Sequence, residues 1–402
     1  MDMVYSKSLE ARDEFEVFRH RTYLNWASLS PAPARAIRAV TQMASQAASF
    51  RTGSVDPVWH PLSNQLREEA GRLINAPAEE IAVCGSSTTQ GIQLAFDAIR
   101  PAKGDNIVTC DMEFPSSGAE LRKWKASGTE IRIARSSGGS FTPDDVIELI
   151  DGRTKAVVLS SVSWVNGFRP DVETISRAAQ EKGSYVVLDS VQHMGAMEFD
   201  TRKLCPDFAA AGGQKWLTSP FGAAILYVSR RAIEELEPPH YSLNNSPEPE
   251  EGWNSYFARR DKTGFEEFDS VPAARKMEYG GWLNHVGMVA LKESIALINS
   301  VGSSNVQRRI RDLSRVLREE LEGMKFNVIS PADEKSSSSI TTFEAGGAEA
   351  SMKTVNRLFE KGIDVSCRGG SGIGGVRVSV HHMNTEDDIL KFTTALREMK
   401  AA

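Results

Sequence analysis

Seven short apolar runs, separated by longer amphipathic stretches, occupy the chain between residues 81 and 228. Most of these runs are almost continuously apolar, which is typical of strands covered by helices on both faces. The predicted strands are Ile81–Cys84, Asn106–Cys110, Glu130–Ala134, Ala156–Ser160, Ser184–Asp189, Asp207–Ala211 and Ala223–Val228. The predicted helices between them are Thr89–Ile99, Ser116–Ser127, Pro143–Ile150 and Val172–Lys182. This alternation predicts an α/β fold with a mainly parallel sheet, in which ligands bind beyond the carboxyl ends of the strands.

The pattern changes after residue 243. The stretch Leu243–Phe268 is rich in Asn, Pro, Glu and Gly and has no clear period, so we predict a long loop. The elements predicted beyond it are the helices Leu283–Val301, Ser304–Met324, Ser351–Lys361 and Thr385–Met399 and the strands Phe326–Ile329, Ile340–Phe343 and Val376–Val380. Because 402 residues exceed one ordinary domain, we predict a large domain over residues 20–275. Residues 1–19 and 276–402 are predicted to form a smaller α+β domain.

Composition and charge argue against several classes of protein. The chain is 41% apolar and 25% charged, which is the balance of a soluble globular protein. A net charge of −6 argues against a nucleic-acid or anionic-membrane surface. The sequence has no long apolar run and no apolar core near its N-terminus, so we expect a cytoplasmic enzyme that acts on a small molecule. The scattered cysteines form no CxxC pair, and the neighbours His381 and His382 must face opposite sides of a strand, so no metal site is predicted.

Two of the predicted strands lead into charged residues. The run SYVVLD ends at Asp189, and the next strand leads into GGQKWL, which contains Lys215. An unpaired buried carboxylate is costly, so Asp189 needs a cationic partner. A lysine amine beside a glycine turn, with an aspartate at a neighbouring strand end, fits a site for pyridoxal 5′-phosphate (PLP). There the lysine forms a Schiff base and the aspartate pairs with the protonated pyridine nitrogen. Either residue alone is weak evidence, but the pair predicts a PLP site.

A phosphate-binding turn is predicted after the first strand. The strand Ile81–Cys84 leads into the run GSSTT, which presents hydroxyl and backbone N–H groups where a helix begins. Capping of the helix alone would need only one of these residues. We therefore predict that Ser87, Thr88 and Thr89 bind the cofactor phosphate.

Five segments together resemble the class V aminotransferase family, in the branch that contains cysteine desulfurases, selenocysteine lyases and isopenicillin N epimerases. They are YLNWASLSP (residues 23–31), STTQGIQ (87–93), DSVQH (189–193), GGQKWL (212–217) and VRVSVHHMNTEDD (376–388). The likeness covers nearly the whole chain. It implies the PLP-dependent transferase fold of type I and a homodimer whose active sites lie at the subunit boundary.

The resemblance also implies roles for individual residues. Lys215 would form the Schiff base, Asp189 would bind the ring nitrogen and Gln192 the ring hydroxyl. Arg377 would clamp the substrate carboxylate, for which a bidentate guanidinium is well suited. Asn25, in the N-terminal segment, would contact the substrate.

The sequence departs from the family pattern at several cofactor positions. Phe114 stands where desulfurases place a histidine over the ring, and phenylalanine can stack but cannot transfer protons. Gln214 replaces a frequent histidine before the lysine and can still donate to phosphate. Gly212 replaces a frequent serine, and Trp164 stands where asparagine is common, so Asn166 is the predicted substitute. The segment MEYGGWLN resembles the one that reaches the partner's phosphate, but it lacks the usual threonine. That leaves the backbone of Gly281 to serve.

The loop that carries the desulfurase cysteine is short and glycine-rich here. It reads VSCRGGSGIGGVR, and Cys367 stands four positions before the aligned place of the catalytic cysteine. We therefore interpret Cys367 as a small buried residue at a strand end. Arg368 either assists a second acidic group on the substrate or cofactor, or is a solvated arginine. His193 either contacts the substrate or is a hydrogen-bonded scaffold residue.

The favoured function is an aminotransferase acting at the α-carbon of an amino acid, with Lys215 taking and returning the α-proton. Phe114 and the missing cysteine weaken desulfuration. A cysteine or selenocysteine lyase and an amino-acid epimerase share the first deprotonation and stay open. A catalytically inactive PLP-fold binding protein is the alternative from another class. A nicotinamide-dependent dehydrogenase is disfavoured because GGSGIGG (369–375) precedes a strand-like run instead of a helix.

Overall fold

The computed structural model describes residues 3–49, 56–281 and 283–401. Its helices are α1 (Met3–Arg12), α2 (Ala34–Ala47), α3 (Asp56–Ile74), α4 (Thr88–Ile99), α5 (Pro115–Ala126), α6 (Pro143–Ile147), α7 (Val172–Glu181), α8 (Thr201–Leu204), α9 (Arg230–Glu235), α10 (Gly252–Ala258), α11 (His285–Val301), α12 (Ser303–Gly323), α13 (Ala348–Glu360) and α14 (Glu386–Ala401). Its strands are β1 (Thr22–Tyr23), β2 (Ile81–Cys84), β3 (Asn106–Cys110), β4 (Glu130–Ala134), β5 (Thr154–Ser160), β6 (Tyr185–Asp189), β7 (Phe208–Gly212), β8 (Ala224–Val228), β9 (Ile340–Phe343), β10 (Ile363–Asp364), β11 (Ser366–Gly370) and β12 (Ile373–Ser379).

The central sheet contains the seven strands that the apolar runs predicted, in the order β2-β8-β7-β6-β5-β3-β4. Four of its neighbouring pairs are parallel. Strand β8 runs antiparallel to both of its neighbours, β2 and β7. The sheet is therefore mixed, with β8 as its reversed strand. The carboxyl ends of β5, β6 and β7 lie at one edge.

Both faces of this sheet are covered, which explains why the strands read as continuous apolar runs. Along β2, Ile81 and Val83 enter one apolar cluster, whereas Ala82 and Cys84 enter another on the opposite face. Every residue of β3, β6, β7 and β8 is buried. The edge strand β4 is the exception: most of its residues are exposed or half-buried.

A second, three-stranded sheet has the order β11-β12-β9 and is antiparallel throughout. Strands β11 and β12 form a hairpin, in which Ser366 lies opposite Arg377. The N-terminal segment also joins this part of the molecule, because β1 pairs with β10 and Asn25 forms a bridge with Ser379. The residues that precede the first predicted strand are thus brought beside the last strand of the chain. The domain boundary at residues 275 and 276 stays a prediction.

Three details differ from the expectations. The segment Phe326–Ile329 forms no strand and contributes only an isolated bridge between Val328 and Phe343. The stretch Leu243–Phe268 is not one long loop, because it contains α10, whose aromatic residues pack against Phe268. The glycine-rich stretch before Arg377 is the β11–β12 hairpin rather than an open loop.

None of the helices in the described ranges combines the length and the apolar character needed to cross a membrane.

Candidate active site

Asp189 and Lys215 meet at the carboxyl edge of the central sheet. Asp189 ends β6, and Lys215 follows β7, its parallel neighbour, three residues after the strand ends. Burial raises the pKa of Asp189, while the positive charge of Lys215 and the Val191 N–H at 3.1 Å oppose that rise. Burial is also the main cause that lowers the pKa of Lys215 to about 8, against the opposing effect of Asp189. The neutral form of the Lys215 amine, which a nucleophile or base requires, is therefore the major form above about pH 8.

Two aromatic rings form a wall beside this lysine. The Nζ atom of Lys215 lies 5.4 Å from the centre of the Phe114 ring. The Phe114 ring meets Trp164 edge to face, with 5.4 Å between the ring centres. Phe114 thus lies next to Lys215, at the position where the family resemblance places a ring over the cofactor.

Glu113 brings a second carboxyl group into this region. It accepts hydrogen bonds from the Ser160 N–H at 2.6 Å and from the Ser160 hydroxyl at 2.8 Å. Ser160 ends β5 and lies opposite Asp189 in the sheet. Burial, with a further contribution from the negative charge of Asp189, raises the pKa of Glu113 to about 7.

The start of α4 is joined to the end of β7. The Gly212 N–H donates to the buried Thr88 hydroxyl at 2.8 Å. Ser87 is the N-cap residue of α4 and accepts from the Gln90 N–H at 3.3 Å. The first turn of α4, including Thr89, therefore lies beside the strand that leads to Lys215. An anion at this helix N-terminus would be favoured by free N–H groups.

The side chain of Gln214 lies close to Gly212. A Cβ added at Gly212 would be 2.4 Å from the Gln214 amide oxygen, which is buried and has no hydrogen-bond partner among the described residues. The serine that the family often carries at 212 would therefore require the end of the Gln214 side chain to move.

Gln192 is held by two groups of the protein. Its amide oxygen accepts from the Trp216 indole at 2.7 Å, and its amide nitrogen donates to the Ala27 carbonyl at 3.0 Å. The amide carries two N–H bonds, so one of them stays available for a ligand.

Arg377 and Arg368 converge on one hydroxyl group. Both donate to Ser28 Oγ, at 2.7 Å from Arg377 and 3.0 Å from Arg368. Arg377 also donates to the Trp164 carbonyl at 2.6 Å and to Ser366 Oγ at 3.2 Å. Burial, together with the neighbouring charge of Arg368, lowers the pKa of Arg377 to about 9. Both arginines also help to lower the pKa of Lys215, which places their charges near its amine.

The other predicted residues fall into different surroundings. Asn166 is buried and bonds to Gly139, Phe168 and Ile329 backbone groups, so it does not replace a cofactor contact at Trp164. His193 bonds to the Glu198 carbonyl and packs on Phe199.

Two further predicted residues are placed by backbone features. Asn25 lies on the bridge to Ser379, three residues before Ser28, and its side-chain oxygen is buried without a partner among the described residues. Gly281 is exposed, has a φ of 84°, and lines a separate cavity of about 870 Å³ with Arg67, Trp253 and Arg275. Cys367 is half-buried within β11 rather than fully buried.

Sequence reasoning missed Ser28 and Glu113. Ser28 lies within the segment YLNWASLSP, and Glu113 directly precedes Phe114, so both stand inside or next to segments that were singled out. The sequence feature that could have indicated Glu113 is a carboxylate that shortly follows β3 and directly precedes Phe114. Nothing in the sequence indicates that Ser28 bonds to arginines about 340 and 350 positions away.

These residues fit a PLP molecule. Among the described residues only Val191 donates a hydrogen bond to the buried Asp189 carboxylate, which leaves an acceptor for a protonated ring nitrogen. Lys215 supplies a deprotonatable amine, and the α4 N-terminus supplies donors for a phosphate.

Comparisons with known proteins agree with this geometry. The family model described as "Aminotransferase class-V" matches residues 22–392. A probable cysteine desulfurase from Methanothermobacter thermautotrophicus is 25% identical over 99% of both chains. An isopenicillin N epimerase from Amycolatopsis lactamdurans is 26% identical over 99% of this chain and 100% of its own.

Solved structures share the fold. The apo cysteine desulfurase from Thermococcus onnurineus NA1 superposes with a TM-score of 0.84, at 20% identity and 97% coverage of both chains. A C-DES variant with glycine covalently linked to its PLP cofactor gives a TM-score of 0.83, at 19% identity and 96% and 98% coverage. With the family model matching most of its length, this chain belongs to the class V aminotransferase family of PLP-dependent enzymes.

Proposed function

We propose that this enzyme acts at the α-carbon of an amino acid through Lys215, and that its reaction is transamination. The observation that carries the proposal is the buried Lys215 amine, with its pKa lowered to about 8 beside Asp189 and the two arginines. When bound, PLP supplies an aldehyde that condenses with amines and a ring that withdraws electrons from the α-carbon.

The residues of the chain divide the work of holding the cofactor. Asp189 would accept a hydrogen bond from the protonated ring nitrogen, and the N–H bond of Gln192 that Ala27 does not use would be available to the ring hydroxyl. Ser87, Thr88 and Thr89, at the start of α4, would bind the phosphate through their hydroxyl and N–H groups. Gln214 adds a side-chain amide at the same end.

Lys215 and Arg377 handle the substrate. Arg377 binds the α-carboxylate and so orients the amino acid. Lys215, which is mostly neutral above its lowered pKa of about 8, would accept the α-proton of the substrate and later return it. Phe114 and Trp164 cover one side with apolar surface, which excludes water from that side.

The absence of two desulfurase features favours transamination. The ring beside Lys215 belongs to Phe114, which cannot move protons. Cys367 lies within β11 opposite Val376 instead of at the tip of the hairpin. A lyase or an epimerase begins with the same removal of the α-proton, and products distinguish the three reactions.

The test is product analysis of the PLP-loaded protein with a panel of amino acids, with and without a 2-oxo acid acceptor. Transamination requires the acceptor and yields a new amino acid. Sulfide or pyruvate released without an acceptor would instead identify a lyase, and racemised substrate an epimerase. Lys215→Arg should abolish every product, whereas Lys125→Arg, on the exposed face of α5, is the matched control and should leave the rate unchanged.

We further propose that the active enzyme is a homodimer. Large apolar side chains are exposed between residues 221 and 286, and Gly281 and Phe257 line the separate cavity of about 870 Å³. A second copy that covers this surface would bring the Gly281 backbone toward the partner's phosphate. Sedimentation equilibrium should give a dimer for the PLP-loaded protein, and Phe257→Glu should shift it toward monomer. Leu390→Glu, at a similarly exposed position on α14, should not.

A further inference from the structure

The two arginines at Ser28 have only neutral hydrogen-bond acceptors. The acceptors of Arg377 are the Trp164 carbonyl and the hydroxyls of Ser28 and Ser366. Arg368 donates to its neighbouring Cys367 carbonyl at 2.7 Å and to the same Ser28 hydroxyl at 3.0 Å. These contacts fix the directions of both guanidinium groups without neutralising their charges.

No carboxylate of the described residues compensates either charge. Neither arginine has an ion pair with an Asp or Glu in residues 3–49, 56–281 and 283–401, and each has its pKa lowered chiefly by burial. Arg377 is only 1% exposed, and Arg368 is half-buried. Buried cations are normally paired, because removal from water is costly unless an opposite charge replaces it. Two adjacent cations without such a partner indicate that anions are supplied by a ligand.

Both arginines keep donors for such a ligand. A guanidinium has five N–H bonds. Arg377 uses three of them and Arg368 uses two, so each retains at least two. A single α-carboxylate on Arg377 leaves the charge of Arg368 uncompensated.

The cofactor phosphate does not account for Arg368. The phosphate cradle is the α4 N-terminus, which Thr88 joins to the end of β7 in the central sheet. Arg368 instead lies on β11 of the three-stranded sheet, beside Ser28 and Arg377. The anion that pairs with Arg368 therefore belongs to the substrate and not to the cofactor phosphate.

We propose that the substrate is an amino acid with an acidic side chain, whose α-carboxylate binds Arg377 and whose second carboxylate binds Arg368. This inference rests on the proposed function and adds the class of its substrate. Arg368 is then the residue that determines specificity, whereas Arg377 binds the α-carboxylate that every amino acid carries.

The first test measures binding and does not depend on turnover. Isothermal titration calorimetry of the PLP-loaded protein compares the diacids succinate and glutarate with the monoacids butyrate and pentanoate. The diacids should bind at least about 10-fold more tightly, because charge-assisted bonds to a second guanidinium contribute on that scale. Equal affinity of diacids and monoacids would overturn the inference.

The second test uses substrates that match in shape and differ in charge. The ratio of kcat/KM for glutamate over glutamine, and for aspartate over asparagine, should exceed one in the native protein. Arg368→Met should lower each of these two ratios about 10- to 100-fold. Arg368→Lys should retain part of the preference. Arg357→Met, at an exposed position on α13, is the matched control and should change neither value.

The variants also separate this inference from its alternative and from the proposed function. If both arginines clamp a single α-carboxylate, Arg368→Met will weaken acidic and neutral amino acids equally, and the inference is wrong. If no amino acid reacts but diacids still bind through Arg368, the proposed function fails while the diacid site stands. Correct folding of each variant is checked by its far-ultraviolet circular dichroism and its PLP content.

Discussion

Glu113 accepts two hydrogen bonds from Ser160, one from its backbone N–H and one from its hydroxyl, and so ties the residue before Phe114 to the end of β5. Ser160 in turn lies opposite Asp189 in the sheet. Phe114 and Asp189 are therefore both linked to the end of β5 through Ser160. A change in the protonation state of Glu113 therefore affects both Phe114 and Asp189.

The Glu113→Gln variant should become more stable than the native protein as the pH rises. Its pKa is raised from 4.5 to about 7, so the folded state keeps a proton that the unfolded state has already released. Native stability therefore falls between about pH 4.5 and pH 7 from this cause. A glutamine lacks this loss and should gain about 1 to 2 kcal/mol over the native residue between pH 5 and pH 8, allowing for partial exposure.

Urea unfolding of both proteins at a series of pH values measures this difference. Glu148→Gln, at a more exposed carboxylate near α6, serves as the control for the loss of a carboxylate. A difference for Glu113→Gln that does not change with pH would contradict the raised pKa.

The reactivity of Lys215 should rise through about pH 8. Below its pKa the amine is protonated and not nucleophilic, and burial lowers that pKa from 10.5 to about 8. In the cofactor-free protein, a small aldehyde followed by borohydride should label Lys215 with a midpoint near that pH. Peptide mapping by mass spectrometry measures the labelling at each lysine. A midpoint above about 10, the ordinary range of a lysine amine, would contradict the lowered pKa.

Trp216→Phe should weaken both the fold and the binding of the cofactor. It removes the indole N–H that donates to the Gln192 oxygen, and it leaves that buried acceptor without a partner. Such a loss costs about 1 to 3 kcal/mol, apart from the smaller ring. PLP affinity, measured by absorbance titration, should fall because Gln192 is then held only by its bond to the Ala27 carbonyl.

Trp124→Phe is the matched control, since the Trp124 indole donates to Glu120 at 3.2 Å on α5. It should lower stability without changing PLP affinity. Equal effects of the two changes on PLP affinity would mean that Gln192 does not contact the cofactor.

Gly91→Ala should displace the start of α4. An added methyl group would lie 2.7 Å from the Ala210 side chain of β7, closer than packing allows. Overpacking of this kind costs about 1 to 3 kcal/mol. The displacement should also weaken PLP binding, because Thr88 lies on the same helix. Gly118→Ala on α5 meets no atom within 4 Å and should leave stability unchanged or increased. Thermal unfolding and PLP titration measure both.

How much of the fold the sequence can predict depends on how far apart along the chain the interacting residues lie. The strands of the central sheet were predictable because burial on both faces makes each of them apolar over its whole length. The segment Phe326–Ile329 has a similar apolar pattern but forms only one bridge, between Val328 and Phe343. Its own sequence cannot reveal that it lacks a partner strand along its length. Helix α10 lies between glycine- and proline-rich residues, which hide a short helix stabilised by the packing of its own aromatic side chains.

The candidate site was predictable where one motif carries the chemistry. Asp189 ends β6 and Lys215 follows the end of β7, and parallel strands bring such ends together. Arg368 could not be interpreted in the same way, because its role depends on Ser28, which is 340 positions away. Asn166 shows the opposite failure: its residue type suited a ligand contact, but neighbouring backbone groups use its amide.

The reversed strand β8 has a consequence for truncation of the chain. Because β8 lies between β2 and β7, these two strands share no ladder of hydrogen bonds and are connected within the sheet only through residues 224–228. A chain that ended before residue 224 would lack the strand between the two segments that the Thr88–Gly212 hydrogen bond connects.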